Sequence, residues 1–80
     1  MKKKEILKLL SSGATIRREE IGYSPETFIL THGLENHYLS AINFRAIKNN
    51  LVSVSRTTHT INGIGGRLTN CVDEIYKLKS

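Results

Sequence analysis

Cysteine occurs once in this 80-residue chain, at Cys71. That excludes an internal disulfide and is the expectation for a reducing, cytoplasmic setting, where a lone thiol packs as a small hydrophobe. Long apolar runs are missing too, so the sequence predicts no membrane span, and the opening MKKK lacks the apolar stretch of a signal peptide. Aspartate also occurs once, at Asp73. With no paired acids, no base beside Cys71 and little room for a pocket, the sequence predicts a protein that is not an enzyme. The most informative gap is one of charge sign: residues 36–72 contain no Asp or Glu at all.

What is present is enough for one domain spanning 1–80, since a 39% hydrophobic content supports a single modest core. The net charge of +5 is unevenly spread. Residues 1–12 hold four lysines against Glu5, and residues 13–35 are net acidic. The acid-free segment carries Arg45, Lys48, Arg56 and Arg67. A stretch of that kind favours an anionic partner through its summed field and through counterion release.

Residues 36–52, NHYLSAINFRAIKNNLV, contain neither proline nor glycine and predict a helix of about four turns, capped by Asn36. At about 100° per residue, Leu39, Ile42, Phe44, Ala46, Ile47 and Leu51 fall on one arc. His37, Tyr38, Ala41, Arg45, Lys48 and Asn49 fall on the other, a small, polar and basic face suited to lie along a polyanion or to remain solvated. Ser40 and Asn43 intrude on the apolar arc and require backbone partners.

Around that helix the pattern predicts four further elements. Residues 2–10 form a helix with Ile6, Leu7 and Leu10 inward and its lysines on a solvated face, closed by Gly13 in a left-handed conformation. Residues 14–31 form a β-hairpin turning at Gly22-Tyr23-Ser24-Pro25, in preference to an early helix-turn-helix, which the short spacing from Glu20 to Pro25 disfavours. Residues 51–61 form a two-stranded ribbon with its turn at Arg56-Thr57-Thr58. Ile64, Leu68, Cys71, Ile75 and Leu78 then stripe a final amphipathic helix whose firm part begins near Leu68.

Two possible ligand motifs fail on spacing. His32, Glu35 and His37 read H-x-x-E-x-H, which matches neither helical zinc pattern, so no metal is expected. Gly63 to Leu68 is similar to a dinucleotide loop, but Leu68 replaces the last glycine, and no cofactor is expected.

FRAIKNNLVSVS resembles the recognition helix and first wing strand of the winged helix-turn-helix family. THTING and the amphipathic stretch after it are similar to that family's second wing strand and exit helix. The resemblance implies an α+β, winged-helix-like fold in the order helix, β-hairpin, helix, β-ribbon (wing), helix, and a small DNA-binding transcriptional regulator. Tyr38, Ala41, Arg45, Lys48 and Asn49 would then face the major groove or flanking phosphates, Arg56 at the wing tip would reach a phosphate or the minor groove, and Arg67 a phosphate. GATIRREE, together with Phe44, Ile47, Leu51 and Val52, is also similar to the small YjhX-like toxins. That family is associated with inhibiting a topoisomerase by direct contact, so the resemblance implies an alternative: a small toxin- or phage-type inhibitor that binds a host protein directly, with the same basic surface set against an acidic partner.

Overall fold

The computed structural model describes residues 1–22 and 24–79, the side chain of Ile64 excepted. Helix α1 spans Lys3–Ser11, strand β1 Thr15–Ile21, β2 Thr27–His32 and β3 Glu35–Leu39. Helix α2 covers only Ala41–Ile47 and is followed by a 3-10 turn at Lys48–Asn50. Then come two long strands, β4 Leu51–Asn62 and β5 Leu68–Leu78. The strands form one antiparallel sheet in the order β3-β2-β1-β5-β4.

This overturns the winged-helix expectation. The early hairpin is present, with Thr15 opposite Thr31 and Arg18 opposite Phe28; of its expected turn, Tyr23 lies outside the described residues. The long helix over 36–52 is not formed. Its first residues pair instead with β2, Asn36 facing Thr31 and Tyr38 facing Ile29. The physical reason is Gly33. At φ +61 it takes the first central position of a two-residue turn, a conformation that costs a residue with a side chain but not glycine. The chain therefore folds back on β2 rather than entering a helix at Asn36.

The helix cap is Ser40, whose hydroxyl accepts the Asn43 amide at 3.1 Å, an interaction worth about 1 kcal/mol. Asn43 in turn donates its side-chain amide to the Met1 carbonyl at 2.9 Å, tying α2 to the start of α1. The two polar residues that intrude on the predicted apolar arc are thus the cap and the tie of a shorter helix.

The ribbon and exit helix are corrected together. Residues 51–62 form a single strand, with Arg56 in its middle rather than at a turn, and the chain reverses at the glycine-rich segment after Asn62. The predicted final helix is β5. Thr69, Asn70, Val72, Asp73 and Ile75 are poor helix formers, and pairing with β1 on one side and β4 on the other fixes them as strand.

Both helices cover one face of the sheet. Ile6 and Leu10 of α1 and Phe44 and Ile47 of α2 close on Ile16, Phe28, Leu30, Leu39 and Leu51, with Tyr76 and Leu78 packed against them. Register places these strand residues on a single face, since Ile16 lies opposite both Leu30 and Tyr76, and Phe28 opposite Leu39. Gly13 follows α1 with φ +101, as its position predicts. Ile42 and Leu68, both placed inward by helical periodicity, are 76% and 74% exposed. No helix among the described residues is long and apolar enough to cross a membrane.

Candidate functional site

The sheet face under the helices is covered only in part. Along one side of α2, from Ala41 to Lys48, an open cleft of about 620 Å³ lies between the helix and the sheet, lined by Arg45 and Lys48 from the helix side and by Arg18, Glu74 and Tyr76 from the sheet. Alternation along β1 and β5 produces the sheet side. Ile16 and Tyr76 point toward the helices, and two residues further along each strand the same face carries Arg18 opposite Glu74.

The sheet-side residues form a closed polar network. Arg18 Nη2 donates to Glu74 Oε1 at 3.0 Å, Tyr76 Oη donates to the same oxygen at 2.6 Å, and Ser53 Oγ donates to Glu74 Oε2 at 2.8 Å. Arg18 Nη1 also reaches Glu20 at 3.1 Å and Glu26 at 3.6 Å. The Phe44 ring separates the network from the core, stacked on Phe28 at 4.3 Å between centroids and edge-on to Tyr76 at 5.3 Å.

The hydrogen bond from Tyr76 outweighs the cost of burial and, with Ser53 and Arg18, holds the Glu74 carboxyl down to about 2. Burial, with the neighbouring Glu74 charge, pushes the Tyr76 hydroxyl up. Burial acts against the Arg18 cation, but bonding to Glu74 and its neighbours prevails and raises it further. All three groups therefore keep one protonation state around neutral pH. Such a network braces strands rather than exchanging protons.

The residues expected to bind nucleic acid separate into groups. Ala41, Arg45 and Lys48 lie together along α2 and the turn after it, where they line the cleft, and Asn49 follows, exposed, on the same turn. Arg56 is exposed on β4, directly opposite Glu74 and so on the helix side of the sheet. Tyr38 projects from the opposite, uncovered face, since its register partner Ile29 lies on that side, and it is 77% exposed. Arg67 sits beside the glycine-rich reversal, where it lines a second cleft with Ile21, Leu68 and Asn70. The seven residues do not form one surface. An α2 of seven residues, roughly 10 Å long, is also too short to read a major groove as a recognition helix does.

A different grouping emerges from the layers. Residues 1–12 and 40–50, which hold the helices, carry Lys2, Lys3, Lys4, Lys8, Arg45 and Lys48 against Glu5 alone, a net +5. The rest of the chain carries six basic and six acidic side chains and is neutral. The whole net charge of the protein thus belongs to its helical layer, and all six basic residues there are exposed. In the sequence alone the α1 lysines read as a solvated face. The missing signal was the Asn43–Met1 contact, which places α1 beside α2.

Glu35 and His37 approach within 3.5 Å on β3, and among the described residues no three potential ligands are placed to hold a metal. The Gly63–Leu68 segment joins two strands and precedes no helix. No protein-family model matches the chain, and no characterised protein or solved structure does so either.

Proposed function

We propose that the domain binds nucleic acid through its helical layer, by contacts to phosphate rather than by a helix seated in the major groove. The observation that carries this reading is the confinement of the entire +5 to residues 1–12 and 40–50. Exposed lysine and arginine side chains can neutralise phosphates without burying an unpaired charge, and each displaced counterion favours binding. Arg45 lies, exposed, in the last turn of α2, where the helix dipole favours a cation.

Fluorescence anisotropy with a short duplex across a salt series tests the reading. Wild-type affinity should fall with salt, with a log–log slope no steeper than about −5 if all six basic groups take part. Arg45→Ala combined with Lys48→Ala should lower that slope by about two units, and Lys4→Ala combined with Lys8→Ala should do likewise. Tyr38→Ala and Arg67→Ala, away from the layer, should leave it unchanged. Absence of binding to any duplex or single strand at low salt would reject the proposal. Retention of an acidic host protein, lost on the same substitutions, would then put protein inhibition in its place.

A further inference from the structure

Strand β4 is an edge of the sheet, paired with β5 on one side only, and every residue from Val52 to Asn62 is exposed. Natural sheets protect such edges by keeping them short or by using prolines, lysines, bulges or a covering element. The opposite edge, β3, is five residues long and carries Glu35. Strand β4 has twelve residues, no proline, no lysine and a single charge, Arg56. Its only irregularity is a bulge between Ser53 and Ser55 near one end. From Ser55 to Asn62 the strand is regular, rich in β-branched residues and unguarded.

We infer that this edge pairs with the same edge of a second copy, antiparallel, about a twofold axis at Thr58. Residues directly opposite in an antiparallel pair share a face, so a symmetric pairing must centre on a residue. Arg56, Thr58 and Thr60 lie on the helix side, opposite Glu74, Val72 and Asn70, whereas Ser55, Thr57, His59 and Ile61 lie on the other.

Centring on Arg56 would oppose two guanidinium groups, and centring on Thr57 would leave them only about 7 Å apart along the strand. Centring on Thr58 separates them by four residues, roughly 14 Å, beyond the Debye length of about 8 Å. It also pairs Thr58 with Thr58, Thr57 with His59, Arg56 with Thr60 and Ser55 with Ile61. No like charges meet, and all seven pairs lie clear of the bulge.

Seven paired residues make a strip about 24 Å long. A single-strand strip of that size belongs with the small interfaces, below the roughly 1,200 Å² at which standard stable ones begin, so the dimer is a weak and reversible one. The twofold axis runs perpendicular to the sheet and therefore keeps both helical layers on the same side. Two +5 surfaces would then face one way across a ten-stranded sheet.

Sedimentation equilibrium of the full chain across the micromolar range tests the inference. Wild type should pass from one to two copies with rising concentration. Thr58→Lys, which places like charges across the axis on an already exposed site, should raise the dissociation constant at least about tenfold without lowering the melting temperature of dilute protein. Tyr38→Ser, on the uncovered sheet face, should change nothing. Amide exchange gives a second readout on wild type itself: those amides of residues 55–61 that point away from β5 should gain protection as concentration rises. A monomer at every concentration, an association indifferent to Thr58→Lys but lost with Tyr38→Ser, or unchanging exchange along β4 would each overturn the pairing.

Discussion

Phe44→Ala should cost about 3–5 kcal/mol, the usual range for emptying a buried aromatic site. Phe44 is 4% exposed, stacks on Phe28 and meets the edge of Tyr76, so its removal opens a cavity between α2 and the sheet. In a domain whose total stability is on the order of 5–15 kcal/mol, such a loss would leave a large unfolded fraction on warming. Leu68→Ala should cost less than about 0.5 kcal/mol, because Leu68 is 74% exposed. Urea denaturation of the two variants beside wild type checks both values. Comparable losses for Phe44 and Leu68 would mean that Leu68 is buried, as a helical stripe had it.

Acid should weaken the fold through Glu74. Its carboxyl is held at about 2 in the folded protein against an ordinary 4.5. The stabilisation is therefore complete above pH 4.5 and is lost as pH falls from there toward 2. Linkage puts the total at about 3 kcal/mol at most, for a side chain that is 14% exposed.

Glu74→Gln removes the titrating charge and keeps one acceptor oxygen for Tyr76 and Arg18, while its amide NH2 turns toward Ser53, whose hydroxyl can accept instead of donating. At neutral pH this variant should be less stable than wild type by about 1–3 kcal/mol, because Arg18 loses a charged partner. Below pH 3 most of that difference should vanish, since wild type is then losing the same charge. Denaturant midpoints for the two proteins from pH 7 down to pH 2.5 measure the convergence. Parallel curves over that range would show that Glu74 titrates normally and that the network does not hold its charge.

How much of this was legible in the sequence depends on where two periodicities can be told apart. Helix α1 and the β1–β2 hairpin were readable because Gly13 and the Gly22–Pro25 cluster mark their limits. Residues 36–39 were misread because Leu39 satisfies both a helical arc and an alternating strand. The distinguishing signal was the pair Ser40 and Asn43, spaced as a cap and its first-turn donor. Strand β5 was misread for a related reason: Leu68, Cys71, Ile75 and Leu78 recur at helical spacing, yet in the sheet they divide between its two faces. The composition of the intervening residues was better evidence than the stripe.

The ribbon turn was misplaced at Arg56-Thr57-Thr58, which contains no residue suited to a reversal, while three glycines stood a few positions later. On the binding side, the acid-free segment was a true count, but it spans both α2 and the neutral-flanked edge β4. Only the layering shows that the charge surplus belongs with the α1 lysines.

The position of β1 in the sheet bears on how quickly the chain reaches it. Residues 15–21 pair on one side with β2, a few residues away, and on the other with residues 71–76 near the opposite end of the sequence. The β1–β2, β2–β3 and β4–β5 hairpins close over short loops and can each form within about 1–10 μs, giving a β1–β2–β3 unit and a β4–β5 unit. Joining Ile16 to Tyr76 must bring together residues 60 positions apart in the 80-residue chain, an entropic cost met before any contact repays it. The rate-limiting event should therefore be the docking of the ready-made β1–β2–β3 and β4–β5 units along the β1–β5 seam, on the millisecond-to-second scale of sheets dominated by distant pairings. In stopped-flow experiments, a substitution in the seam such as Ile75→Val should slow folding, whereas Thr31→Ala in the β2–β3 hairpin should act chiefly elsewhere on the kinetic profile. A reversal of that order would place the nucleus in the local hairpin.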